Sequence, residues 1–242
     1  HGLGMFGSSG FGLSLKGLCD MIGDRILTDS QKRRTHVRGT MTAQQTLTEQ
    51  EEALARVASV QGRLTAHSIW SEQACRLHDD SFAAIVEARI PRLFLPTGLG
   101  GDEVNPLTCA AVCEEVAGSD TAAAWHIMVF NAAKLMAAKW PAELVEMLWA
   151  DNPDQLISAS GHTPLQGKRV ADGVEISGTQ RFVSGCNFAE WIMSPVMMDG
   201  EMHNAVIAIE DCQVMDNWNT LGMRGSGSND VLIDYVTVPS LQ

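Results

Sequence analysis

The chain is poor in positive charge. It sets 17 Lys+Arg against 29 Asp+Glu, a net charge of −12, and a surface of that sign repels phosphate backbones instead of releasing their counterions. Nucleic acid is therefore not an expected partner. Long apolar runs are lacking too. No stretch of 18 or more apolar residues occurs, and the most apolar windows are broken by Lys134, Lys139 or Asp234, so no segment is built to span a bilayer as a helix and no membrane partner is expected. The Gly- and Ser-rich start has no basic n-region and no small-residue cleavage site after an apolar block, so a secretory signal is not evident. Six cysteines (Cys19, Cys75, Cys109, Cys113, Cys186 and Cys212) form no CxxC pair and are too sparse for a disulfide scaffold. They read as reduced thiols, and the expected location is the cytoplasm.

Several catalytic signatures are also missing. His67, His78, His126, His162 and His203 form neither HxxxH nor HExxH, and no Gly-x-Ser-x-Gly elbow occurs, which argues against a zinc hydrolase and a serine hydrolase. Cys109 and Cys113 are four apart, and so on one face of a predicted helix, but no further ligands accompany them at metal spacing; no metal is expected. The loop Gly225-Ser226-Gly227-Ser228-Asn229-Asp230 begins like a dinucleotide fingerprint, yet Asp stands where the third glycine belongs and a strand follows instead of a helix. It reads as a turn between strands, with Gly227 and Asn229 at positive φ. Trp125, Trp140, Trp149, Trp191 and Trp218 read mostly as core anchors. His162, between Gly161 and Thr163-Pro164, reads as a solvent-facing loop residue.

What is present is a chain of 242 residues, 45% apolar and 19% charged, enough to bury a real core in one or two domains. Residues 1–40 carry six basic and three acidic residues, whereas the remainder carries 11 and 26. This boundary, with Met41 a candidate natural start, sets 1–40 apart as an upstream read-through or an addition outside the fold. A capping box of Thr48 and Glu51 opens a predicted helix, with Leu54, Val57, Ala58 and Leu64 recurring at three- and four-residue steps. Further helices are predicted over 80–88, 107–117, 121–138 and 142–149, with Pro106 and Pro141 at their starts and Ser119 or Asp120 as a cap. Between the prolines at 91 and 96 and the next helix, Thr97-Gly98-Leu99-Gly100-Gly101 demands a tightly turning loop. After Pro153 the period changes to alternation, with strands predicted over 155–159, 167–171, 174–177, 180–183, 191–197, 205–209 and 231–238. Helices followed by strands indicate an α+β chain, a helical domain over 41–153 and a β-rich domain over 154–242.

Read in order, several segments resemble the acyl-CoA dehydrogenase superfamily, and within it the two-component flavin-dependent monooxygenases, over about residues 47–242. Leu95-Pro96-Thr97-Gly98-Leu99-Gly100-Gly101 is similar to a loop of that family's helical domain. The run from Glu114 through Gly118-Ser119-Asp120 to Trp125 is similar to its small-residue helix pair. Gly178-Thr179-Gln180-Arg181-Phe182-Val183-Ser184-Gly185-Cys186, closing with Trp191, resembles the flavin-binding strand, and Leu221-Gly222-Met223-Arg224-Gly225-Ser226-Gly227-Ser228-Asn229-Asp230-Val231 resembles the segment leading into the strand that leaves the β domain. Ser158-Ala159-Ser160-Gly161-His162-Thr163-Pro164 stands where dehydrogenases carry a Glu-Pro-Gly-x-Gly-Ser-Asp loop, and Ser184-Gly185 replaces their Thr-Asn pair, which favours the monooxygenase branch. Phe188 sits where monooxygenases often have His.

The resemblance implies an all-helical N-terminal domain followed by a β-barrel-like middle domain, ending before a C-terminal helical bundle. It implies Phe182 beside the flavin ring, Ser184 as the catalytic hydroxyl near N5 and O4, and Gly185, Ala159, Ser160 and Gly161 as further cofactor-binding positions. The implied activity is that of an oxygenase component using reduced flavin (FMN or FAD) and O2 to hydroxylate a small aromatic or sulfur-containing substrate. A separate flavin reductase would supply the cofactor, and the full-length parent would be a homo-oligomer, a homotetramer by analogy. The alternatives are an FAD-dependent acyl-CoA dehydrogenase and an inactive flavin-binding or oligomerising fragment.

Overall fold

The computed structural model describes residues 5–7 and 43–240. Among the described residues five α-helices follow one short N-terminal strand: α1 (Ala43–Ala74), α2 (Asp79–Glu87), α3 (Pro106–Ala117), α4 (Thr121–Met136) and α5 (Ala142–Trp149). Their starts follow local chemistry. The Asn105 side chain accepts from the Leu107 N–H ahead of α3, with Pro106 filling the first turn where no donor is needed. Asp120 caps α4 by accepting from the N–H groups of Ala122 (2.8 Å) and Ala123 (3.0 Å). The expected capping box at Thr48 is not used, because α1 begins at Ala43 and places Thr48 inside the helix, where its hydroxyl bonds back to the Gln44 carbonyl at 3.1 Å.

The strands follow as β2 (Ile157–Ala159), β3 (Leu165–Val170), β4 (Gly173–Val183), β5 (Trp191–Met198), β6 (Glu201–Ala208), β7 (Gln213–Val214) and β8 (Asn229–Val238). Met5–Gly7, within the stretch expected outside the fold, forms β1 and pairs antiparallel with β6. The rest of 1–40 lies outside the described residues. Strand order is β1-β6-β5-β3-β4-β8-β7, with β2 beside β5, and this mixed sheet curls around a core of Val174, Ile176, Val196, Ile207, Val231 and Ile233. The runs predicted over 174–177 and 180–183 are one strand, β4, whose register against β8 shifts twice.

Two features of the sheet prepare a site. Both β2 and β3 run parallel to β5 along one edge: Ile157–Ala159 pairs with residues 191–193, and Leu165 and Gln166 pair with Val196 and Met197. Between them the chain lifts off as residues 160–164. Nearby, the second register shift of β4 sets Gln180 opposite Val231 but Val183 opposite Asn229. One extra residue on β4 makes a bulge, which turns Arg181 and Phe182 outward.

The helices pack on the sheet through Ala133, Trp140, Leu144, Leu148 and Trp149 against Ile157, Met193 and Val206. Trp140 and Trp149 are the core anchors the sequence suggested, stacked with centroids 6.1 Å apart. Arg92 clamps Asp154 with two bonds, Nε to Oδ1 at 2.6 Å and Nη2 to Oδ2 at 2.5 Å, tying the loop before α3 to the first residues of the β part.

Candidate active site

The bulge of β4, the lifted segment 160–164 and the N-terminal half of α4 meet at one place. Phe182 occupies the bulge with φ +59°, a left-handed conformation that costs a non-glycine residue about 1 kcal/mol or more. Its amide N–H reaches the Asp230 carboxylate at 3.4 Å, and its ring stays 47% exposed. A large aromatic side chain held out at a strained backbone position is not explained by packing, and such strain concentrates at functional sites. His162 meets the Phe182 ring edge-on at 5.5 Å and Trp218 does so at 6.2 Å, while the Arg181 guanidinium lies 5.2 Å from its centroid.

Ser184, two residues on, is buried at 6% exposure and sits at the centre of a hydrogen-bond cluster. The indole N–H of Trp125 donates to its Oγ at 2.9 Å, and the same Oγ lies 2.7 Å from the hydroxyl of Ser228, which in turn lies 2.8 Å from that of Ser226. Gly185 follows with φ +80°, where the chain turns hard against the ring of Phe130.

The other expected positions converge here. Ser160 Oγ donates to the Arg181 carbonyl at 2.6 Å, and the Gln180 amide donates to the Thr163 carbonyl at 2.8 Å, so both ends of the lifted segment are pinned to β4. Ala159 ends β2 and Gly161 is exposed at the start of the loop. Residues 159–161 and 182–185 are thus neighbours.

Trp125 and Trp218 differ from their reading as core. Trp125 is 40% exposed on α4, and its indole is committed to a strand end 59 residues later; Trp218 lies in the loop before β8 and edges onto Phe182. Their spacing carried no signal of this, because only the packing of α4 on the sheet creates the contact. Asn229 differs as well: it begins β8 without a positive φ, and its side-chain Oδ1 accepts from the backbone N–H groups of Asn217 (3.1 Å) and Trp218 (2.9 Å), fixing the loop that carries Trp218. Gly227 does adopt φ +52°. Phe188 packs away from the exposed ring of Phe182, stacked on Phe82 at 4.1 Å and edge-on to His126 at 5.8 Å.

Behind the site His126 is buried with its Nδ1 2.8 Å from the Ala122 carbonyl, so Nδ1 carries the proton, and burial pushes its pKa down to about 4. Among the described residues no group of three or more His, Cys, Asp or Glu side chains is arranged to hold a metal ion. The arrangement suits a flat heteroaromatic ligand: exposed aromatic faces for its plane, and a buried hydroxyl for a polar edge.

A scan of known protein families returns no match. Solved structures share the fold. XiaF from Streptomyces sp., solved with FADH2 and glycerol, superposes with a TM-score of 0.78 at 22% identity, over 81% of this chain and 51% of that one. In sequence, the chain is 30% identical over 176 residues to HsaA of Rhodococcus jostii, the oxygenase subunit of a flavin-dependent monooxygenase, a match covering 70% of this chain and 46% of the relative. It is 27% identical over 182 residues to the indole-3-acetate monooxygenase of Acinetobacter baumannii, covering 69% and 46%. HsaA and an FADH2-dependent resorcinol hydroxylase of Rhizobium sp., 25% identical over 77% of this chain and 47% of the relative, are both named as oxygenase components, the class the motifs implied, and the chain spans about half the length of the curated relatives it matches.

Proposed function

We propose that this chain is the flavin-holding part of the oxygenase component of a two-component monooxygenase. It would bind reduced FMN or FAD delivered by a separate flavin reductase, and the whole protein, a homo-oligomer such as a homotetramer, would hydroxylate a small aromatic substrate. The observation that carries this reading is the pairing of the strained, outward Phe182 ring with the buried Ser184 hydroxyl two residues later. Free thiols at five described cysteines suit a reducing cytoplasm. Relatives named for indole-3-acetate, resorcinol and p-hydroxyphenylacetate support the aromatic substrate class.

The residues fit a flavin. Phe182, with Trp218 and His162 at its edges, would lie along the ring plane, and Ser184 would meet a ring nitrogen or carbonyl. When bound, reduced flavin supplies the two electrons with which one oxygen atom of O2 enters the substrate and the other leaves as water. The chain's own part is placement: the bulge orients Phe182, and Trp125 fixes the Ser184 hydroxyl.

Anaerobic titration of the purified chain with FMN, FAD and their reduced forms, followed by flavin absorbance and fluorescence, tests the reading. Binding of a reduced form, lost in Phe182→Ala, is the expected result. Absence of binding by all four forms would overturn it.

A further inference from the structure

The bulge on β4 turns Arg181 outward beside Phe182, with its guanidinium 5.2 Å from the centroid of that ring. The carboxylate it faces, Asp230, stands 3.7 Å from Arg181 Nε, beyond hydrogen-bond range. Asp230 is turned elsewhere: Oδ1 accepts from the Phe182 N–H at 3.4 Å, and Oδ2 accepts from the Asn217 side-chain amide at 3.0 Å. The Arg181 side chain is 56% exposed and that of Asp230 only 19%, so the pair turns its positive end to the open site.

An exposed aromatic ring with a cation beside it suits a flat ring that carries negative charge. A ring stacked on either face of Phe182 lies within about 9 Å of the guanidinium, less than the Debye length of about 10 Å at about 0.1 M salt, so a charge on that ring is felt. The rest of the chain works the other way. With a net charge of −12 it repels anions at long range, and a local cation is what can offset this at the site.

We propose that Arg181 is a specificity-determining residue that makes the site favour the anionic form of a flat redox ring over its neutral form. This rests on the flavin reading above. Above neutral pH the two-electron-reduced flavin ring has lost the proton at N1 and carries a negative charge, whereas the oxidised ring is uncharged. Stacking on Phe182 serves both forms alike, and the phosphate of FMN is common to both. What separates them is the ring charge, and Arg181 is the cation set beside it.

Anaerobic titration of the intact chain at pH 8 with oxidised and with reduced FMN tests this in Arg181→Gln and Arg181→Lys. Expected in Arg181→Gln is about a fivefold loss of affinity for reduced FMN, with affinity for oxidised FMN unchanged. Arg181→Lys keeps the charge and should bind reduced FMN nearly as well as the parent. Equal losses for both forms, an unchanged ratio, or a loss in Arg181→Lys as large as in Arg181→Gln would overturn the proposal. A second probe needs no flavin: para-nitrophenolate, a flat anion, against the uncharged para-nitroanisole, each read from the NMR shifts of Phe182 and Trp218. If the parent binds neither form of FMN, the flavin reading falls and this pair decides the role of Arg181 alone. A preference for the anion that Arg181→Gln abolishes upholds it; no preference, or one that survives the substitution, overturns it.

Discussion

Gly185 lies against the ring of Phe130 with no room for a side chain: a Cβ there would stand 2.7 Å from Cζ and 2.8 Å from Cε1. The contact joins the turn after β4 to α4, so the helix that carries Trp125 and the segment that carries Ser184 are set against each other by a missing methyl group. Gly185→Ala combines this clash with strain at φ +80°. It should destabilise the chain by about 3 kcal/mol. Urea unfolding checks the value, and the same substitution on a Phe130→Leu background should cost less, because the ring it strikes is gone.

Phe182 should respond in the opposite sense. Its φ of +59° is easy for glycine and strained for phenylalanine, and its ring is half exposed, so little packing is lost on removal. Phe182→Gly is expected to be as stable as the parent or up to about 1 kcal/mol more stable, the relief of strain being partly offset by a freer unfolded chain. Flavin affinity should fall at least about tenfold, since an aromatic face is removed. A melt and a titration on one sample read both effects, and a marked loss of stability would show that the ring serves the fold.

The fold was legible because its helix starts and its change of period are local. Asn105-Pro106, Asp120 and Pro141 announce helices through backbone chemistry that acts within four residues, and the alternation after Pro153 announces strands. Thr48 misled because a Thr-x-x-Glu pattern inside a long helix looks the same as one at its start. The site was legible at Phe182 and Ser184 only through resemblance; no periodicity marks a bulge. Trp125 and Ser228 were not legible as partners of Ser184, since they lie 59 and 44 residues from it and nothing but the packing of α4 and β8 on β4 brings them together.

His126 predicts an acid limit to stability. Its pKa is about 4 in the folded chain, below the usual 6.5, because burial disfavours the imidazolium. Between those values the unfolded chain binds a proton that the folded chain does not, so stability is full above pH 6.5 and is lost as pH falls towards 4. The loss between pH 7 and 4.5 should be about 2 kcal/mol. Urea unfolding across that range measures it, and His126→Gln should be less stable at pH 7 but flatter with pH. An equal slope in both proteins would remove His126 as the cause.

Lys134 gives the corresponding dependence on the alkaline side. It is buried on α4, its Nζ donating to the Pro91 carbonyl at 2.7 Å and to the Pro153 carbonyl at 3.4 Å, with the Arg92–Asp154 pair nearby. Burial lowers its pKa from 10.5 to about 7, against the opposing pull of Asp154. Between pH 7 and 10.5 the unfolded chain holds a proton that the folded chain has released, so stability rises with pH through this window and falls as pH drops towards 7. From pH 7 to 9 the gain should be about 2 kcal/mol. Lys134→Met removes the titrating group and should abolish that gain. It also leaves the Pro91 carbonyl without its buried donor, which should cost about 1 to 3 kcal/mol at pH 9. At pH 7 the deficit should be smaller, because the parent there carries part of the burden of a buried charge. Urea midpoints for both proteins at pH 7, 8 and 9 separate the two effects, and parallel curves would show that Lys134 keeps its proton throughout.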